Sequence, residues 1–208
     1  MDAGRDTLGL FPLGLVLLPG ETIPLHIFEA RYKRLIGERR GGDRELGIVY
    51  VDEDKLAVTG CTAVVSEVVD ETEDGRMNIL VEGRRRFRIV DVAEPEDAEA
   101  DYLRADVEFF EDDEAGDERV RDDAALAFVD LLSASGIPQP QIPEGAAPLS
   151  FRLAAAVDFG PQIKQTLIES ASENERLMSL AAAFRSLVPQ AEAQRRRAEA
   201  IRGNGKGM

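Results

Sequence analysis

The sequence predicts an α+β protein: a closed or half-closed barrel of short strands with one early helix, followed by a helical second half. Three observations carry that prediction. Apolar runs of strand length, alternating or continuous, recur at short spacing as far as Phe110. The stretch EDDEAGDE at 111–118 is self-repelling and holds no large apolar residue, which marks a boundary. Beyond it, apolar residues recur at the spacing of helices.

The first ten residues are polar and glycine-containing and read as loose. Residues 13–18 are apolar almost throughout and lie between Pro12 and Pro19-Gly20, which predicts a strand buried on both faces. Ile23, Leu25 and Ile27 then alternate with Pro24, His26 and Phe28, the period of a second strand. Pro24 lacks an N–H, so its position is confined to an edge, an end or a bulge. Phe28, Tyr32, Leu35 and Ile36 fall at i, i+4, i+7 and i+8, the stripe of an amphipathic helix that Gly37 is placed to stop.

A charged Gly-Gly loop over 38–44 leads to LGIVYV at 46–51, a buried-strand sequence rich in β-branched residues. After a turn at 52–55, strand character returns at Leu56 and Val58 and runs over 61–69. The acidic segment 70–76 reads as a hairpin turn in which Asp74-Gly75 supplies the left-handed geometry. Residues 77–81 return, Gly83 interrupts, and 87–92 continue; 103–110 form one more strand.

In the second half, Val120, Ala124, Ala127 and Leu131 make a helical stripe ended by Gly136. Pro138, Pro140, Pro143 and Pro148 impose an extended loop. Short helices follow at 150–157 and 162–169. Ser172-x-x-Glu175 is a capping box, behind which Leu177, Leu180, Phe184 and Leu187 repeat until Pro189 stops the helix.

The blocks LFPL, VLLPG, IPLHIFEARY and NILVEGRRRFRIV resemble the Lon N-terminal substrate-binding domain, in the form found as a small standalone protein. The similarity runs from Leu10 to Val188. It implies a small six-stranded PUA-like pseudo-barrel with an early helix, followed by a C-terminal helical bundle. On that basis we expect a barrel subdomain over 8–112, a helical subdomain over 118–188, and a partly helical, frayed tail over 189–208. Ala30 stands where standalone relatives often carry proline, which bears only on the rigidity of the helix entry. In Lon the region after the bundle leads toward the ATPase; here it is expected simply to end.

Composition narrows the function. Folding a chain of 208 residues removes roughly 70% of its accessible surface, enough for a core without staples. Cys61 stands alone, which excludes an intramolecular disulfide and favours a reducing compartment. The acidic N-terminus and the brevity of the apolar runs predict neither a secretory signal nor a membrane span, so a cytoplasmic location is expected. A formal net charge of -15 opposes phosphate backbones.

No GxxxxGK[ST] loop cradles a phosphate, and none of Lys33, Lys55, Lys164 and Lys206 lies in a serine–lysine protease motif. Lys164 with Ser170 is nearer to surface chemistry than to a dyad. His26 is the only histidine, which rules out a multi-histidine metal site and leaves Cys61 as a thiol partner only through folding. The chain is therefore expected to be no enzyme and to need no metal or cofactor.

Two surfaces remain as binding candidates. Arg84, Arg86 and Arg88 share one strand face, opposite Arg85 and Phe87, and either pair with carboxylates such as Asp91, Glu94 and Glu29 or capture an acidic or C-terminal peptide group. Leu15, Leu17, Ile23, Leu25 and Phe28 either fill the core or line a groove for an unfolded segment, with the proline loop as a wall. The peptide-contact set expected from these patterns is Leu15, Leu17, Leu25, His26, Phe28, Tyr32, Arg84, Arg86 and Arg88. Its partners are polypeptide substrates or a partner protease or chaperone. RNA binding through a PUA-like barrel and the arginine stripe is the rival, and the net charge weighs against it.

Overall fold

The computed structural model describes residues 6–39, 44–93, 95, 101–138 and 141–204, with side chains as far as Ala200. Pro140 and Glu94, which figured in the expectations above, lie outside the described residues. The chain divides into two compact units, Met1–Asp112 with Asp158–Ala171, and Asp113–Val157 with Ser172–Met208. Its strands are β1 (Asp6–Leu13), β2 (Thr22–Ile27), β3 (Leu46–Asp52), β4 (Lys55–Glu71), β5 (Met77–Ala93) and β6 (Arg104–Phe109). Its helices are α1 (Ala30–Arg39), α2 (Glu118–Ala134), α3 (Leu149–Ala155), α4 (Pro161–Glu169) and α5 (Glu173–Asn204).

In the first unit the six strands form one sheet in the order β2-β5-β4-β3-β1-β6, and a further β5–β6 pairing closes all but β2 into a ring. Only β1 and β3 run parallel; the other pairings are antiparallel. The ring is possible because β5 spans 17 residues and, with β4 along one edge, serves two partners along the other, β2 along 77–82 and β6 along 87–93. Leu8, Leu10, Val49, Phe87, Ala105 and Val107 fill its interior. Burying a large apolar side chain of this kind stabilises by ~1.5–3 kcal/mol. The turns match their sequences: Gly75 has φ +76°, and the two-residue link Glu53-Asp54 takes φ +43° and +68°, as a tight hairpin requires.

The strand expected over 13–18 is not formed. β1 starts earlier, at Asp6 within the stretch expected to be loose, and ends at Leu13, while Val16, Leu17 and Leu18 are buried in a loop. That loop crosses β5 at Gly83. Gly20 N–H donates to Gly83 O (2.8 Å), Gly83 N–H donates to Glu21 O (2.9 Å), and Leu18 N–H goes to the Glu21 carboxylate (3.0 Å) instead of a strand partner. A Cβ at residue 83 would stand 2.1 Å from Leu18 O, so the glycine marks a backbone crossing in a strand that runs on unbroken.

Helix α1 buries Tyr32, Leu35 and Ile36 as its spacing predicts, but it continues past Gly37 to Arg39, and Phe28 precedes it. Helix α4, which the sequence assigns to the helical subdomain, belongs to the barrel unit. Lys164 pairs with Glu21 (2.5 Å), Gln165 donates to Thr59 O (3.2 Å), and Arg86 donates to Ile168 O and Ser170 O (3.3 and 2.5 Å). These are polar contacts between residues far apart in the chain, and local periodicity carries no trace of them.

The second unit holds α2, α3 and α5. The Asp117 side chain caps α2 through Arg119 N–H (2.9 Å), and α2 buries Ala124, Ala127, Phe128, Leu131 and Ala134. Ser172 Oγ takes Glu175 N–H (3.3 Å) at the start of α5, the capping expected there. Leu177, Leu180 and Phe184 are buried, and the Phe184 ring meets Phe128 edge-on at 5.4 Å. Pro189 does not stop the helix, which runs through it to Asn204. Proline removes one internal hydrogen bond, but strong helix formers follow it, and Arg195, six residues beyond, donates to Ser133 O (3.2 Å).

Candidate functional site

The first unit offers one sheet face that the ring leaves outside. Among the described residues β2 pairs with β5 alone, so it is an edge strand, one of the three positions (edge, end or bulge) that Pro24 allows. Across β2, β5 and β4 the register aligns Pro24, Leu80 and Glu67 in one row and His26, Asn78 and Asp70 in the next. Directly opposed residues share a face. On the other face Leu25, Ile27, Met77, Ile79 and Val81 are buried.

The outward side carries an exposed aromatic group. Phe28, just past the end of β2, is 59% exposed and stacks on His26 with ring centroids 5.9 Å apart. His26 Nδ1 meets Asn78 Oδ1 at 2.8 Å, a contact that ties β2 to β5 on this face. Val69 sits in the register shift between Val68 and Asp70 on β4 and is 58% exposed. The face thus combines Phe28, Pro24 and half-buried Leu80 with the carboxylates of Glu67 and Asp70, and the exposed Val69 lies next to Asp70 in the shift.

The nine expected contact residues scatter. Leu17, Leu25 and Tyr32 are core residues, Tyr32 stacked on Phe11 at 4.0 Å, and Leu15 is half-buried. His26 and Phe28 are exposed together, and Arg84 and Arg88 are exposed farther along β5. Arg86 is only 5% exposed and is bound to Asp112 (2.6 Å) as well as to the two carbonyls of the α4 end.

The single-face arginine stripe is not formed. Between Gly83 and Arg86 β5 carries one residue more than the paired stretch Ala63–Cys61, which takes Arg84 out of the alternation. Arg86 and Arg88 keep one face, both over Phe110, but Asp112 and the end of α4 cover Arg86 and leave Arg88 exposed, while Phe87 turns into the barrel. Arg84 meets Glu82 (3.4 Å), Arg85 meets Glu45 (2.8 Å) and lies over Phe109, and Arg88 lies over Phe110 (4.3 Å). The carboxylate partners are therefore Glu82, Glu45 and Asp112 where Asp91, Glu94 and Glu29 were expected.

Among the described residues the candidate nucleophiles Cys61 and Ser170 are not brought to a base. His26 aligns with Asn78 and Cys61 with Arg86, eight residues apart along β5, roughly 26 Å at about 3.3 Å per residue. Cys61 is buried and burial pushes its thiol well above the ordinary range. Lys164 is held by Glu21, away from any role toward Ser170. Among the described residues no group of His, Cys, Asp and Glu is arranged to hold a metal ion, and no helix is long and apolar enough to cross a membrane.

Sequence reasoning missed Asn78, Leu80, Val69, Glu67 and Asp70 as members of the exposed face, and Glu21 as the anchor of the loop at Gly83. The alternation of β5 contained a signal for Asn78 and Leu80. The β4 residues required knowing where its register shifts fall.

The VLLPG and VEG blocks thus meet at one crossing, and the IPLHIFE block forms the edge strand and its exposed end. The sequence matches the family described as ATP-dependent protease La (LON) substrate-binding domain over residues 7–182. The chain belongs to this family. The Lon N-terminal domain protein from Xanthomonas campestris shares its fold with a TM-score of 0.66 and 24% identity, covering 85% of this chain and 98% of that one. The N-terminal domain of the Mycobacterium avium complex Lon protease gives a TM-score of 0.65 and 20% identity, covering 87% and 98%. A search of curated proteins gives no match. Membership in the Lon substrate-binding family is consistent with substrate recognition, and the match is to that domain and to no catalytic one.

Proposed function

We propose that this chain is a non-enzymatic recognition module that binds exposed apolar segments of unfolded polypeptides and presents them to a partner protease or chaperone. The observation that carries the proposal is Phe28, a large aromatic side chain left 59% exposed on a unit whose other large apolar groups are mostly enclosed. An aromatic ring braced against His26, with Pro24 and Leu80 farther back along the same face, supplies area for apolar side chains at low entropic cost. The arginines are a weaker basis for recognition, because Arg84, Arg85 and Arg86 already hold carboxylates.

Fluorescence anisotropy with a dye-labelled, permanently unfolded protein tests the reading, with the same protein in its folded form as control. The unfolded form should bind more tightly, and Phe28→Ser should weaken it about tenfold or more, the range for an aromatic contact residue. Equal binding of both forms, or an unchanged affinity in the variant, refutes it.

A further inference from the structure

The sheet face beside Phe28 has a charge that the binding of apolar segments does not by itself require. Glu67 and Asp70 align with Pro24 and His26 across β5, and both are exposed. Among the described residues neither has a basic partner, whereas Arg84 on β5 is committed to Glu82 and Arg76, just before β5, to Asp74. Neighbouring strands lie about 4.8 Å apart, so the carboxylate row on β4 stands about 10 Å from the apolar row on β2. An extended chain advances about 3.3 Å per residue, which brings a side chain two or three positions from an anchored apolar residue over that row.

We propose that this face selects extended polypeptide segments in which an apolar anchor is followed within two or three residues by lysine or arginine, the anchor on the stacked Phe28 and His26 rings and the cation on Asp70 and Glu67. The selection rests on the recognition reading above and adds its substrate class. Unpaired carboxylates beside an apolar surface favour a cationic neighbour and disfavour an anionic one, which works as discrimination more than as raw affinity. The segment lies on the face of the sheet. Pro24 withholds the N–H that an added strand would need at the β2 edge.

The test uses three dye-labelled peptides that repeat a phenylalanine followed two residues later, on the same side of the extended chain, by lysine, glutamine or glutamate, with serine between. The full chain should bind the lysine peptide roughly three- to tenfold more tightly than the glutamine peptide, and the glutamate peptide most weakly. The lysine preference should vanish in Glu67→Gln/Asp70→Gln. It should persist in Asp122→Asn/Glu144→Gln, which removes as much charge from the second unit and so separates a local effect from the overall negative field. Equal affinity for the lysine and glutamine peptides, or an equal loss of preference in both double variants, overturns the selectivity while leaving the recognition reading intact. Failure of the chain to bind any of the three peptides overturns both.

Discussion

Replacing Arg86 by methionine separates a structural arginine from a ligand-capturing one. In the structure its guanidinium holds Asp112 at 2.6 Å, donates to Ile168 O and Ser170 O, and lies over Phe110 at 4.4 Å. Methionine fills much of the space and makes none of the polar contacts. Breaking a buried ion pair costs about 3–5 kcal/mol, and the Asp112 side chain, 16% exposed, keeps enough water to favour the lower end. The two carbonyls at the end of α4 lose a charged donor, which adds about 1 kcal/mol. A total of about 4 kcal/mol, at a urea slope of about 2 kcal/mol per molar, moves the unfolding midpoint down by about 2 M.

The assay reports the right unit. Tyr32, Tyr50 and Tyr102 all lie in the first unit and the chain has no tryptophan, so tyrosine fluorescence follows the barrel alone. Arg86→Met/Asp112→Leu should recover part of the loss, because it removes the stranded charge as well. A midpoint within about 0.3 M of the parent, combined with weaker peptide binding, would refute the structural role and restore Arg86 to the binding surface.

The other expectations test separate parts of the fold. Gly83→Ala should destabilise the barrel by about 2 kcal/mol or more, read by the same fluorescence, because its Cβ meets the Leu18 carbonyl oxygen, which is backbone and cannot swing away. In the second unit, Arg176 is 1% exposed and donates to Ser150 Oγ (2.8 Å) and to Glu173 (2.7 Å), which also takes Ser150 N–H. Arg176→Met should cost about 3–5 kcal/mol in urea unfolding followed by circular dichroism, and adding Glu173→Gln should restore a measurable part, since glutamine still accepts from Ser150 N–H without a buried charge. Cys61 should resist a thiol reagent in the native protein and react at the rate of barrel unfolding, its thiol being buried and held neutral; fast labelling without urea would contradict that. A hydrogen bond from Tyr102, with Arg34 beside it, holds the Glu38 carboxyl below its ordinary range. The unfolded chain then binds the proton first, so this contribution is present above the ordinary carboxylate range and is lost as pH falls through the lowered value; Glu38→Gln should flatten the acid limb of a midpoint-against-pH curve.

Much of the molecule was legible locally. The division into strands and helices, the hairpin at Gly75, the edge position of Pro24, the buried stripe of α1 and the capping of α5 by Ser172 follow from period, proline chemistry and capping, all of which act within a few residues. Tertiary structure decided the rest, for two physical reasons. Side-chain direction along a strand depends on every register shift before it, so one extra residue between Gly83 and Arg86 took Arg84 out of the predicted arginine stripe, and the cover supplied by Asp112 and the end of α4 made Arg86 a buried strut while Arg88 stayed exposed. Membership of a unit depends on contacts between residues distant in sequence: Lys164 reaches Glu21 across 143 positions and Ser170 reaches Arg86 across 84, and these ties bring α4 to the barrel. The exposure of Phe28 is of the same kind, since a residue at helical spacing from Tyr32 becomes a surface group only because the helix begins after it.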